Sequence, residues 1–237
     1  MLLPTAKIVR MDTDSTSGKN SHEKLLDSFS KGEYDIMIGT QMVAKGLNFP
    51  NVTLVGVVSV DQQLYNDDFR SLEKTFSLLT QVVGRSGRGE LEGRAIIQTL
   101  TPENEIIRLA AKQDYDEFFN TEIRLRKALV YPPYCDLCII GFVGENETVV
   151  KSAARETLDL LKNFVSDEFK GEKIIVLGPM PARVAKISEK FRYRIIIKCR
   201  NTSRFRQMIS KILVKTGTDS RYSKVTVYAD INPDTAV

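Results

Sequence analysis

One stretch limits the possible folds of this chain more than any other: Val52-Thr-Leu-Val-Gly-Val-Val-Ser-Val60, in which nearly every side chain is apolar and most are β-branched. The run is short for a helix and lacks the alternation of a half-exposed strand. It therefore reads as a strand buried on both faces, the kind found inside a helix-covered parallel sheet. Its surroundings agree. Ala6–Met11, Tyr34–Ile38 and Ala95–Leu100 have strand character. Ser21–Ser30, with apolar Leu25, Leu26 and Phe29, and Phe69–Val83 read as helices. Strands separated by helical crossovers imply a mainly parallel α/β sheet over residues 1–109.

A different pattern follows. Tyr115–Leu129 is a charged helix, stopped by Tyr131-Pro-Pro-Tyr134, so residues 110–132 read as a helical linker. Beyond it come a strand (Asp136–Val143), a helix (Thr148–Val165), a strand (Lys173–Leu177) and a strand pair (Arg183–Ile187 and Phe191–Arg200). A helix (Ser203–Leu213) and a last strand (Lys224–Ala229) close the series. Helices over an antiparallel or mixed sheet make residues 133–237 a small α+β domain.

Charge separates the two parts. Residues 1–109 hold 12 Lys/Arg against 14 Asp/Glu, and residues 110–237 hold 22 against 16. Between Lys173 and Lys224 there are 14 basic residues and two acids, Glu189 and Asp219. Such a concentration suits a polyanion, because phosphate neutralisation supplies most non-specific nucleic-acid affinity. No apolar run approaches the roughly 20 residues of a membrane-spanning helix, and the start lacks the charged-then-apolar pattern of a secretory leader. The expected setting is cytoplasmic, with no membrane partner. Three cysteines, an odd number, do not form a disulfide framework.

Two motifs carry chemistry. Gly39-Thr-Gln-Met-Val-Ala-Lys-Gly-Leu-Asn-Phe-Pro50 sits where a strand hands over to a helix, where backbone amides can receive an anion. It is not a P-loop, since Lys45 precedes Gly46 and no Gly-Lys-Ser/Thr triplet exists. Gln81-Val-Val-Gly-Arg-Ser-Gly-Arg-Gly89 sets Arg85 and Arg88 three residues apart, on one face of a helical turn. Gly84 and Gly87 leave room for close approach. Two guanidiniums on one side can clamp a triphosphate during phosphoryl transfer.

In this order and spacing the two motifs resemble helicase motifs V and VI of superfamily-two enzymes. Asp68-Phe-Arg-Ser-Leu-Glu73, Arg10-Met-Asp-Thr-Asp14, Ile97-Gln-Thr99, Tyr131-Pro-Pro133, Leu177-Gly-Pro179, Tyr193-Arg194 and Asp230-Ile-Asn-Pro233 narrow the resemblance to the primosomal protein N′ (PriA) family. It runs along nearly the whole chain. It implies an α/β RecA-like parallel-sheet lobe followed by a small α+β carboxy-terminal domain, belonging to an ATP-driven 3′-to-5′ DNA helicase that recognises abandoned replication forks and starts primosome assembly.

The resemblance also assigns residues. Arg85 and Arg88 correspond to arginine fingers, with Gln81 and Gly84 beside them at the nucleotide. Thr40, Gln41 and Lys45 correspond to the motif that touches the DNA backbone. ATP and Mg2+ are expected to be held mainly by the family's other lobe, which carries the Walker A lysine and Asp-Glu-x-His box. That lobe and a zinc-binding cysteine insertion lie amino-terminal to this region in the family. This chain alone is therefore expected to be inactive as an ATPase and to hold no zinc. Expected partners are branched and single-stranded DNA, the acidic tail of single-strand-binding protein and other primosome proteins, with the protein monomeric and associated with the nucleoid. The alternatives are a stand-alone DNA- or protein-binding module, and another fork-remodelling translocase of superfamily two.

Three further features were weighed on the residues themselves. Val60-Asp61 mimics a metal-binding strand end, but no acid follows, so Asp61 reads as structural or coupling. Cys135-x-x-Cys138 resembles half a zinc site, yet Cys199 and His22 are the only other Cys and His, and a structural zinc needs four ligands. Core cysteines are expected. On Phe191–Arg200, alternation puts Arg192, Arg194, Lys198 and Arg200 on one face, interrupted by Ile196, as a positive ridge to which Arg204 adds. No aromatic residue of that strand shares the face, so phosphate contact rather than base stacking is expected.

Overall fold

The computed structural model describes residues 4–11, 21–40, 49, 51–84 and 93–234. The chain divides into two compact units: Met1–Asn66 with Ser71–Asn120, and Asp67–Arg70 with Thr121–Val237.

The first unit contains β1 (Ile8–Met11), α1 (Ser21–Ser30), β2 (Ile36–Gly39), β3 (Leu54–Val57), a short α2 (Asp61–Leu64), α3 (Ser71–Val83), β4 (Arg94–Ile97) and α4 (Glu105–Lys112). Among the described residues β1 pairs in parallel with β2, and β3 in parallel with β4. Each pair is bridged by intervening helix, as parallel strands require. The amphipathic α3 turns Thr75, Phe76, Leu79 and Val82 inward. Phe76 and Leu79 join Val60, Leu64, Ile106, Ile107, Leu109, Ala110 and Phe118 in one core, with Phe76 stacked on Phe118 at 4.0 Å between ring centroids. The apolar run is strand only over Leu54–Val57, and Leu54 and Val58 are exposed. The expectation of burial on both faces is corrected: within the described residues β3 has one paired neighbour, and its core contact is through Val57.

Helix α5 (Tyr115–Leu129) has the bounds its composition predicts. The unit boundary falls inside it, between Asn120 and Thr121. Residues 110–132 are thus no free connector: Ala110 and Phe118 belong to the first core, while Val130 and Tyr131 pack with Leu137 and Ile139 in the second unit. Helix α4, capped by the Asn104 side chain accepting from the Ile106 amide at 2.9 Å, was not anticipated.

The second unit continues through β5 (Asp136–Gly144), α6 (Glu147–Ser166), β6 (Ile175–Ile187), β7 (Lys190–Cys199), α7 (Ser203–Gly217) and β8 (Thr226–Ile231). The sheet order is β6-β7-β5-β8, with the pairs antiparallel. This is the split βαβ arrangement, with both helices against one face of four strands. Helix α6 lays Val150, Ala153, Ala154, Thr157, Leu161 and Phe164 onto that face, and α7 adds Phe205, Met208, Ile209 and Ile212. Asn146 and Thr202 cap the two helices by accepting from Val149 and Phe205 amides. The sequence suggested two strands around Gly178-Pro179 and Pro181, but β6 is a single strand. Register shifts at Leu177/Met180 and Pro181/Lys186 absorb the prolines, which an edge strand tolerates because it need not donate outward.

Strand β5 is buried on both sides. Cys138, Ile140 and Phe142 face the helices, while Cys135, Leu137 and Ile139 form a cluster on the opposite face. Cys135 and Cys138 therefore point in opposite directions and cannot share a metal. The Cys135 thiol donates to the Val130 carbonyl at 3.2 Å. Burial pushes Cys138 and Cys199 up to about 12, and raises Cys135 as well.

The opposite face is partly covered by Asp67–Arg70. Phe69 stacks on Tyr131 with rings 5.1 Å apart and 3° from parallel. The Arg126 and Arg70 guanidiniums both lie over the Phe69 ring, 5.2 and 5.1 Å from its centroid, and the Lys198 ammonium sits 3.7 Å from the Tyr131 centroid. Beside the stack, Arg194 Nη2 donates to Asp67 Oδ2 at 2.9 Å. Arg194 is 4% exposed, whereas the Asp67 side chain is 77% exposed.

Two outcomes follow from this packing. At pH 8 the native chain should leave all three thiols unreacted with a thiol reagent on the time scale of free cysteine, and denaturation should release all three; for a pKa near 12 only about one thiol in ten thousand is ionised at that pH. Second, Asp67→Ala should lower the urea midpoint of the second unit by the equivalent of about 1–2 kcal/mol, water replacing part of the lost contact. Arg194→Met in the Asp67→Ala background should recover much of the loss, because it removes the buried charge while keeping volume. An unchanged midpoint in Asp67→Ala would show the ion pair to be incidental.

Candidate functional site

In the first unit the approach to the arginine motif is fixed by α3. Its buried positions lie on one side, leaving Glu73, Ser77 and Gln81 exposed at four-residue spacing. The Gln81 side-chain amide donates to Ser77 Oγ at 3.3 Å, and the residue is exposed on the last turn. The helix closes at Gly84, whose amide donates to the Thr80 carbonyl at 2.9 Å. A Cβ at Gly84 would come within 3.1 Å of that same carbonyl oxygen, so the turn admits a larger residue only by shifting. Arg85 and Arg88 lie outside the described residues.

Of the strand-to-helix motif, Thr40 is described and exposed, immediately after β2. Gln41 and Lys45 lie outside the described residues. Phe49, near the motif's end, packs edge-on against Phe29 of α1 at 5.0 Å.

Asp61 has a defined task. One oxygen accepts from Thr99 Oγ1 at 2.8 Å, both accept from the Leu100 amide, and Thr101 Oγ1 lies 3.4 Å away. Burial alone would raise this carboxyl, but the hydrogen bonds from Thr99, Leu100 and Thr101 outweigh it and hold it below the usual range. The residue ties the chain after β4 to the start of α2. This is the structural one of the two roles, structural or coupling, read from the sequence, and Thr99 of Ile97-Gln-Thr99 is a partner.

On β7 the ridge is divided. Arg192 is half-buried and Arg200 is exposed. Arg194 is held by Asp67, and Lys198, 8% exposed, donates to the Leu129 carbonyl at 2.6 Å. Burial lowers the Lys198 ammonium below its ordinary range. The expectation that Arg194 and Lys198 stand on an exposed phosphate-contacting ridge is therefore corrected. Alternation reported the right face, but Phe69, Val130 and Tyr131 cover the middle of it. Arg204 is exposed and donates to the Glu168 and Lys170 carbonyls across the start of α7. Asp67 and Phe69 were missed as partners of β7. Their signal was the Asp-Phe-Arg string between the two motifs, which nothing local explains.

The chain's similarity to known proteins follows the same division. A model of the helicase conserved C-terminal domain matches residues 3–90, and a model of the primosomal protein N C-terminal domain matches residues 127–234. The replication restart protein PriA of Bacillus subtilis (strain 168) is 43% identical over 98% of this chain and 28% of its own length. Its counterpart in Chlamydia trachomatis is 38% identical over 98% of this chain and 30% of its own. For Thermotoga maritima the values are 36%, 92% and 28%. The chain thus spans under a third of the length of each of these three relatives. Because the helicase match falls on the first unit's sequence, the primosomal match on the second's, and whole-chain likeness joins them, the chain belongs to the family of the replication restart protein PriA.

Proposed function

We propose that this chain supplies the second motor lobe and the DNA-contacting carboxy-terminal domain of an ATP-dependent 3′-to-5′ helicase that recognises stalled or abandoned forks and starts primosome assembly. The observation that carries this reading is the co-linear match of a helicase domain and a primosomal domain to the two units. The charge distribution supports it, since the excess of basic residues lies in the primosomal half.

In this reading Arg85 and Arg88 reach a γ-phosphate held by another lobe, and Gln81 and Gly84 shape the helix end that presents them. The exposed polar end of α3 suits such a contact. ATP with Mg2+ supplies the free energy for translocation. The guanidiniums stabilise charge on the transferred phosphoryl group, a role worth about 10³–10⁵ in rate. Thr40, Gln41 and Lys45 contact the DNA backbone, so nucleotide and DNA are sensed by neighbouring motifs. Arg192, Arg200 and Arg204 contribute phosphate contacts in the second unit. The acidic tail of single-strand-binding protein and other primosome proteins are further partners of the same basic surface. The protein works as a monomer in the bacterial cytoplasm, at the nucleoid.

In the complete enzyme, Arg88→Ala should cut DNA-stimulated phosphate release by a factor on the order of 10³, with fork binding in a gel shift nearly intact. This chain alone should show no DNA-stimulated hydrolysis, because isolated guanidiniums in water gain little from a triphosphate. Robust hydrolysis by the Arg88 variant would remove the arginine-finger assignment. Binding of the chain to forked DNA should weaken as salt rises, and Arg200→Ala should flatten the log–log slope by about one unit.

A further inference from the structure

The helix-free face of the second unit's sheet has a part that the Phe69–Tyr131 cover does not take up. Strand register builds it in rows. Thr226, Val143 and Arg192 stand side by side, and the next row is Tyr228, Gly141 and Arg194. Asp230 and Ile139 follow. Val143, Arg192, Tyr228, Arg194, Asp230 and Ile139, with Ala182 of β6, line a shallow depression of about 110 Å³.

The middle row is unusual in one respect. Tyr228 leans over Gly141 so closely that a Cβ there would lie 2.2 Å from the ring. Only glycine leaves the ring that seat. Tyr228 remains 41% exposed. An aromatic side chain laid on a glycine in the centre of a sheet, with two-fifths of its surface exposed, gives little to the core. It presents a flat π surface at a fixed height.

The charges around it have a direction. Arg192, one row away, makes no ion pair with any described residue. From it the β6–β7 hairpin runs on through exposed Arg183, Lys186 and Lys190, with Glu189 paired to Lys186 as the acid at its turn. On the other side of Tyr228 stands Asp230. A ligand lying here would keep its anionic groups toward Arg192 and the hairpin and away from Asp230, with a flat apolar group over Tyr228. That is the amphipathic pattern of a nucleotide in a single strand: a phosphate on one side and an unpaired base on the other. Duplex DNA, whose bases are already stacked, cannot use the ring.

We infer that this open sheet face is a single-strand binding site, where a base of single-stranded nucleic acid stacks on Tyr228 and its phosphate meets Arg192. The inference rests on the DNA-binding reading above and adds to it the surface that takes the single strand and the residue that senses it. It also replaces the expectation of phosphate contact alone: β7 has no aromatic on this face, but β8 places one there across β5.

The test uses the whole chain and a fluorescently labelled 12-nucleotide oligo(dT), read by anisotropy across a salt series, with a 12-base-pair duplex as the comparison. Tyr228→Leu keeps apolar volume and removes the π surface, and Tyr228→Phe keeps the π surface. Tyr228→Leu should weaken oligo(dT) binding about 5- to 100-fold with the salt slope unchanged, and should leave duplex binding as it was. Tyr228→Phe should bind within about twofold of the parent, since the ring is retained. Arg192→Ala should weaken binding and lower the salt slope by about one unit. If Tyr228→Leu binds oligo(dT) like the parent while the parent shows salt-dependent binding, the stacking site is wrong and the DNA-binding reading stands. If the parent binds neither oligonucleotide at any salt, both fall. Tyr228-dependent binding of an acidic peptide, with oligo(dT) binding unaffected by Tyr228→Leu, assigns the face to a protein partner and overturns the proposal.

Discussion

A guanidinium cannot rest on a largely dry sheet without a counter-charge, and the second unit is organised around this need. Arg194 sits opposite Gly141 in the middle of the sheet, and its carboxylate comes from Asp67, 127 residues earlier. With Asp67 in place, Phe69 meets Tyr131, Tyr131 receives the Lys198 ammonium, and Ile139 and Leu137 gain cover. A mutant that lost the carboxylate would leave a buried cation next to that cluster. The domain that follows the motor sequence is therefore completed by four residues that precede the arginine motif.

This arrangement gives the Asp67–Arg70 string a physical meaning. It lies between two motifs that contact nucleotide and DNA in the proposed motor, yet its own side chains serve the second unit. Displacement of these residues would disturb Arg194 and Tyr131 together. Two stacked rings, Phe69 and Tyr131, are thus met by cations, Arg126 at Phe69 and Lys198 at Tyr131, contacts that a small residue in place of either ring could not make.

Much of the fold was legible in the sequence because its signals are local. Helix α5 has the predicted bounds, and β5 extends one residue beyond its predicted end. Asn146 and Thr202 are capping residues at the places where polar residues precede apolar periodicity. What local pattern could not give was cover. Alternation on β7 sorts side chains to two faces correctly, but it cannot say that Phe69 and Tyr131 lie over one of them, so by pattern alone Arg194 and Lys198 read as surface residues. The same limit hid Tyr228, whose neighbours Gly141 and Arg192 are far away in sequence and close only through strand register. The prolines of β6 misled in the opposite sense, since they look like a break and an edge strand accommodates them. The motor site expected from motif spacing gains no geometry, since Arg85, Arg88, Gln41 and Lys45 lie outside the described residues.

The prolines of β6 have one more consequence. Within the described residues β6 is the outer strand on its side of the sheet, and an outer strand is a template on which another chain can lay a strand of its own. Pro179 and Pro181 offer no amide hydrogen, the register shifts twist the strand there, and Arg183 and Lys186 bring positive charge to its far end. An incoming strand would meet missing donors, a bent backbone and like charge on a second copy of the same hairpin. The sheet is thereby guarded against growing into that of a neighbouring copy.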